Sequence, residues 1–296
     1  MTETVIPAWL DTRAFPFRPH LVDVGTGERL SVTDIGTGPS LVFSHGTPTW
    51  SYEWRHLLAA LSPDYRCVAP DHLGFGLSPR PTGSDYRPEA HAARFARLVD
   101  ALGLERYSLV LHDYGGPFAL AAALEHPERI ERIVVFNSFA WSYGDSPQTR
   151  RMAKLAGGKL FRFLYRNVNL SFVISKSAWG DRKTMTRETW PPYLRVFPDK
   201  DSRERVLFAL AQGLAGAADF CDSIWRRLDL LAGKPIHLIW GMADSAFPPS
   251  ALARFREKWP QASVHELPGA GHWPHEEQPE VCVDSVRRFL ELTRAS

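Results

Sequence analysis

The sequence predicts an α/β protein with a mostly parallel central sheet and an inserted helical cap. Two observations predict it. Short apolar, β-branched runs alternate with amphipathic or Ala-rich stretches over residues 30–137 and again over 235–292, the pattern of strand–helix–strand crossovers. Between about residues 138 and 232 the alternation stops. The text there is helix-like and rich in aromatics, among them Trp141, Phe163, Tyr165, Trp179, Trp190, Tyr193 and Trp225. The expected division is a core of residues 1–137 and 233–296, with residues 138–232 as a cap roofing the carboxyl ends of the strands, where such sheets bind ligands.

In chain order, residues 30–34 and 40–44 read as strands separated by the turn Gly36-Thr37-Gly38-Pro39. Residues 54–61 read as a helix and 65–70 as the next strand. An amphipathic helix is expected over 91–102, closed by Gly103. A strand over 107–111, a helix over 117–125 and a buried strand over 130–137 follow. Within the cap, Trp190-Pro191-Pro192 reads as a breaker. Strands over 235–240 and 263–267 and helices over 250–258 and 279–292 complete the alternation.

Composition narrows the class. At 296 residues, 44% hydrophobic and 23% charged, the chain is long enough and apolar enough for a sizeable core. A net charge of +2 gives no reason to expect nucleic acid or an anionic membrane as partner. No apolar run approaches the roughly 18 residues of a membrane span, and residues 1–17 lack the apolar stretch of a signal peptide. Cys67, Cys221 and Cys282 are too widely spaced for a metal motif or a disulfide framework. They read as reduced core thiols of a cytoplasmic protein.

The chemistry is concentrated at Leu109-Val110-Leu111-His112-Asp113-Tyr114-Gly115-Gly116. A strand runs into a sharp corner and a small-residue helix follows, the arrangement of a nucleophile elbow. Ser usually occupies its tip; here it is Asp113. A carboxylate nucleophile forms an ester with a substrate carbon, which points to alkyl transfer followed by hydrolysis. An Asp at this place could instead cap the helix, but the remaining machinery follows in the order nucleophile, acid, base. Asp244 ends the apolar run Leu238-Ile239-Trp240-Gly241, where an acid could orient a base. His272 stands in the glycine-flanked loop Pro268-Gly269-Ala270-Gly271-His272-Trp273-Pro274. Earlier, Phe43-Ser44-His45-Gly46-Thr47-Pro48 is a strand-ending corner. The Thr47 and Tyr114 N–H groups are its expected oxyanion donors.

These segments resemble the haloalkane dehalogenase group of the α/β-hydrolase superfamily over most of the chain. The resemblance is carried by His45-Gly46-Thr47-Pro48-Thr49-Trp50-Ser51-Tyr52, Pro70-Asp71-His72-Leu73-Gly74-Phe75-Gly76, His112-Asp113-Tyr114-Gly115-Gly116, Asn137-Ser138-Phe139-Ala140-Trp141 and Gly271-His272-Trp273-Pro274. It implies the α/β-hydrolase fold, a small apolar substrate with water as co-substrate, no cofactor and no metal. Asp113 would displace a halide, and His272, oriented by Asp244, would activate water against the ester, so activity should fall at acid pH. The sequence departs from the group at the halide site. The group places a Trp after the nucleophile and an Asn in the His-Gly-x-Pro corner, or a second Trp from the cap. This chain has Tyr114 and Thr47, whose hydroxyls can donate hydrogen bonds, with Trp141 or another cap Trp as the candidate indole donor. An epoxide hydrolase would use the same Asp113, Asp244 and His272 and add cap tyrosines as acids, for which Tyr143, Tyr165 and Tyr193 are candidates.

Overall fold

In a computed structural model that describes residues 2–142, 151, 154–186 and 189–293, nine strands form a single sheet. The strands are β1 (Thr2–Glu3), β2 (His20–Asp23), β3 (Arg29–Ile35), β4 (Ser40–Ser44), β5 (Arg66–Pro70), β6 (Tyr107–Asp113), β7 (Ile130–Ser138), β8 (Ile236–Gly241) and β9 (Ser263–Leu267). Their spatial order is β1-β2-β3-β5-β4-β6-β7-β8-β9. The pairs from β1 to β5 are antiparallel, and those from β5 through β4 to β9 are parallel. Parallel strands are covered on both faces and therefore read as nearly continuous apolar runs. In β6 every residue is buried.

The strand period of two assigns side chains to opposite layers. Leu109, Leu111 and Val42 point into one core, which they share with helices α2 (Pro88–Ala101) and α3 (Gly115–Glu125). Val110, Leu41 and Phe43 point into the other, under α1 (Arg55–Leu61). The last helix closes that second layer through Val286, Phe289 and Leu290.

Between β7 and β8 the described residues are helical. They form α4 (Lys159–Val168), α5 (Leu170–Ser175), α6 (Pro191–Arg195), α7 (Phe208–Gly216) and α8 (Ala218–Arg227). A π-helical turn, Arg203–Leu207, leads into α7. Beyond β8 come α9 (Pro249–Lys258), α10 (Pro274–Glu277) and α11 (Pro279–Leu292). Pro191-Pro192 does not break a helix as expected; it starts α6. Proline is well placed in a first turn, whose N–H groups have no partner within the helix. The same rule moves the start of α2 from residue 91 to Pro88.

Three buried contacts tie the helical layer to the sheet. The Tyr193 hydroxyl of α6 donates to Glu276 Oε1, and Glu276 also holds Arg55 of α1. Glu277 accepts the amides of Gly180 (3.2 Å), Asp181 (2.7 Å) and Gly271 (2.9 Å). The His272 amide donates to the Ala178 carbonyl at 2.8 Å.

Candidate active site

Asp113 ends β6 with φ +48°. A side chain in that left-handed region is strained, and such strain gathers at functional sites. The corner is possible because its neighbours are glycines. A Cβ on Gly46 would lie 2.3 Å from Asp113 Cβ, one on Gly115 would lie 2.0 Å from the Ser44 carbonyl oxygen, and one on Gly116 would lie 2.0 Å from Ser138 Oγ. The elbow is held by the Ser138 hydroxyl, which donates to the Asp113 carbonyl at 2.7 Å.

The two carboxylate oxygens of Asp113 differ. Oδ1 accepts the Thr47 amide at 2.8 Å. Oδ2 lies 3.6 Å from His272 Nε2. The other ring nitrogen of His272, Nδ1, is 2.8 Å from Asp244 Oδ2. Asp244 is fixed in turn by Asn137 Nδ2 at 2.8 Å and by the Ala246 amide at 2.6 Å. Thus the structure brings Asp113, His272 and Asp244 into one chain of contacts, with Thr47 beside it. Burial disfavours the Asp113 and Asp244 carboxylates, but His272 outweighs it and holds both below the usual Asp value. Burial likewise disfavours charge on His272, yet the two carboxylates win and raise its pKa to about 10.

A cavity of about 170 Å³ opens onto Asp113 and His272. Its walls are Thr47, Tyr114, Phe139 and Phe247 from the sheet side, with Tyr165 and Ile174 from α4 and α5. They are mostly apolar, as small-molecule sites are. A larger groove of about 440 Å³, lined by His237, Ser285 and Phe289 among others, shares no residue with it.

Two expected donors take other positions. The Tyr114 ring lines the cavity, but its hydroxyl donates to the Leu210 carbonyl at 2.8 Å and ties α3 to α7. Trp141 is not among the cavity residues. It packs edge-on to Trp225 at 5.3 Å and against Phe255 at 5.2 Å, with the Arg254 guanidinium 4.6 Å from its ring centroid. Helices α8 and α9 supply these partners, so burial in that aromatic cluster takes the indole away from Asp113. Two other donors on cavity residues, the Thr47 hydroxyl and the Trp273 indole N–H, are buried with no partner among the described residues. Of the candidate tyrosines, Tyr165 lines the cavity, Tyr193 is committed to Glu276, and Tyr143 lies outside the described residues.

Behind the elbow lies a buried polar group that the sequence did not advertise. His112 Nε2 is 2.8 Å from the His272 carbonyl and its Nδ1 is 3.2 Å from Glu53 Oε1. Bonding to a carbonyl assigns the ring proton to Nε2, so Nδ1 accepts. Burial raises the Glu53 pKa, which suits a protonated carboxyl donating to that nitrogen. Glu53, His112 and His275 are close enough for one metal ion to reach all three. Glu53 and His112 are hydrogen-bonded to each other, and His112 reaches the His272 carbonyl, so the pair braces the His272 loop.

Comparison with known proteins agrees with this architecture. The sequence profile of the α/β-hydrolase fold matches residues 39–279. Haloalkane dehalogenase 2 of Mycobacterium tuberculosis is 33% identical over 282 residues, covering 94% of this chain and 97% of that protein. A cis-3-alkyl-4-alkyloxetan-2-one decarboxylase of Xanthomonas campestris is 31% identical, with coverage of 94% and 97%. The crystal structure of an ancestral haloalkane dehalogenase superposes with a TM-score of 0.79 at 25% identity, covering 94% of this chain and all of that one.

Proposed function

We propose, for a chain that belongs to the α/β-hydrolase family and to its haloalkane dehalogenase-like branch, that it cleaves the carbon–halogen bond of a small apolar haloalkane through an alkyl ester on Asp113. The observation that carries this reading is the division of labour between the two Asp113 oxygens. Oδ1 is held by the Thr47 amide and Oδ2 is left toward the cavity and His272. Oδ2 attacks the halogen-bearing carbon; the C–O bond forms, and the halide leaves with the electrons of the C–X bond. Loss of the Asp113 charge removes one of the two anions that keep His272 protonated. His272 then loses its proton to solvent, and the neutral Nε2 takes a proton from water as that oxygen adds to the ester carbonyl. The developing oxyanion on Oδ1 keeps the Thr47 amide, with the Tyr114 amide as its second donor. Collapse expels the alkoxide, which takes the proton back from His272 as alcohol, and the carboxylic acid left on Asp113 gives its proton to the neutral Nε2, regenerating the carboxylate and the protonated His272. Asp244 stabilises the imidazolium that forms.

The leaving halide needs donors. The Thr47 hydroxyl and Trp273 indole N–H belong to cavity-lining residues and stand without partners among the described residues; an unmet buried donor costs about 1–3 kcal/mol, which makes these two the candidate donors for the halide. In this reading they replace the donors expected at Tyr114 and Trp141.

A second reading, ring opening of an epoxide or another strained cyclic ether, is favoured by Tyr165. It lines the cavity, and its hydroxyl is within reach of Ser171. In ring opening the leaving oxygen stays attached to the substrate and needs a proton, which a phenol supplies.

The test is a parallel assay of halide and diol, using brominated and iodinated alkanes beside terminal and aryl epoxides. Halide release by the wild type and none by Asp113→Asn is the expected result. Diol without halide, lost in Tyr165→Phe, would transfer the assignment to ring opening.

A further inference from the structure

The face of the cap around α4 and α5 is unlike the rest of the surface. Helix α4 buries none of its residues. Leu155, Leu160, Phe163, Val168, Val173 and Ile174 are 48–66% exposed. Solvated helices normally present polar residues outward, and exposed apolar side chains clustered in one stretch mark an interaction surface.

The same stretch is cationic. From residue 151 to 176 there are six Lys or Arg residues (Arg151, Lys154, Lys159, Arg162, Arg166, Lys176) and no Asp or Glu. Glu204 pairs with Arg162 and Arg166 and offsets part of this charge, and Lys154, Lys159 and Lys176 add to the positive excess of the stretch. The chain's overall net charge of +2 hides this asymmetry. On α4 the exposed Leu160, Phe163 and Val168 share the outward surface with Lys159, Arg162 and Arg166, while Phe161, Leu164 and Tyr165 are half-buried; exposed Leu and Phe set among Lys and Arg suit a segment that lies in a membrane interface. Among the described residues no helix is long and apolar enough to cross a bilayer.

The patch is continuous with the cavity mouth. Ile174 is 48% exposed and also lines the cavity, and Tyr165 reaches it from α4. We infer that this face docks on an anionic lipid bilayer, with Leu160 and Phe163 among the acyl chains and the cations over the headgroups. The cavity mouth then opens toward the layer in which an apolar substrate dissolves. Docking rests on the surface alone; only its use for substrate entry depends on the proposed chemistry at Asp113.

Vesicle flotation tests it. Wild-type protein is mixed with vesicles of phosphatidylcholine alone or of phosphatidylcholine with phosphatidylglycerol. It should float with the anionic vesicles, less so as salt is raised, and stay behind with the neutral ones. The variants Leu160→Ser/Phe163→Ser and Lys154→Glu/Lys159→Glu should each bind at least about tenfold more weakly with unchanged melting temperature, since all four side chains are exposed. Wild-type protein that ignores anionic vesicles would overturn the inference. So would unaltered binding by the apolar double variant. A solution dimer that this variant dissociates would do the same, by assigning the patch to a second copy of the chain.

Discussion

In the reaction proposed above, His272 must lose its proton before the ester is hydrolysed and hold one as water adds. Its pKa is raised to about 10 because carboxylates face both ring nitrogens. Asp113 and Asp244 are shifted the opposite way, below the usual Asp value. The signs fix the pH window. The raised histidine contributes stability that is full below its unfolded value, near 6.5, and is lost as pH rises through about 10. The depressed carboxylates contribute stability above their unfolded value, which is lost only as pH falls through their lowered folded values. Attack by Asp113 therefore persists at acid pH, whereas ester hydrolysis requires neutral His272. The expected outcome is that at pH 5 the alkyl-enzyme accumulates and alcohol release slows, while the first turnover of halide remains fast. Rapid quench of both products at pH 5 and pH 8 checks it; equal slowing of both steps would contradict the assignment.

At this scale much of the site was legible. Asp113 ends β6, Asp244 follows the end of β8 by three residues and His272 stands in a glycine-rich loop, settings that sequence can show. Trp141 was not legible, because a tryptophan at the start of a cap reads the same whether it faces a cavity or, as here, Trp225 and Phe255. Nor was the Tyr114 hydroxyl, whose partner is a backbone carbonyl 96 residues away in sequence.

Elements are positioned by glycines and prolines more than by helix propensity. Pro88 and Pro191 start helices because their missing N–H groups would have no partner there. The corner between β4 and the elbow depends on Gly46, whose added Cβ would fall 2.5 Å from Asp113 Oδ1. Gly46→Ala must push the nucleophile or the Thr47 amide aside. A displacement of about 1 Å at a reacting centre costs on the order of 10²-fold in rate. Turnover should fall by about that factor, with a much smaller change in melting temperature, and steady-state kinetics beside thermal unfolding separate the two. The edge strand β1 and its neighbour β2 went unread in the sequence because two- and four-residue strands carry no periodicity. Helix α10 went unread because it is a single turn packed under the His272 loop.

Across the chain, the sheet and the loops at its strand ends place Asp113, Asp244 and His272 together, and helices between β7 and β8 supply one wall of the cavity. The two are joined by buried polar contacts at Tyr193–Glu276–Arg55, Glu277 and Tyr114–Leu210. The ion pair among them, Arg55–Glu276, joins α1 to α10; removing one partner of a buried pair costs about 3–5 kcal/mol. The alternation of strands and helices, and its interruption, were readable from period and composition. The docking of cap on core was not, because it rests on single long-range contacts such as the His272 amide to Ala178.

In the proposed reaction a substrate carbon becomes esterified to Asp113. The most direct measurement is intact-protein and peptide mass spectrometry of His272→Gln after incubation with a brominated alkane. The base is gone while Asp113 keeps its Thr47 amide, so the account predicts a stable mass increase equal to the alkyl group, located on Asp113, with one equivalent of bromide released. An unmodified protein, or an adduct on any other residue, would contradict it.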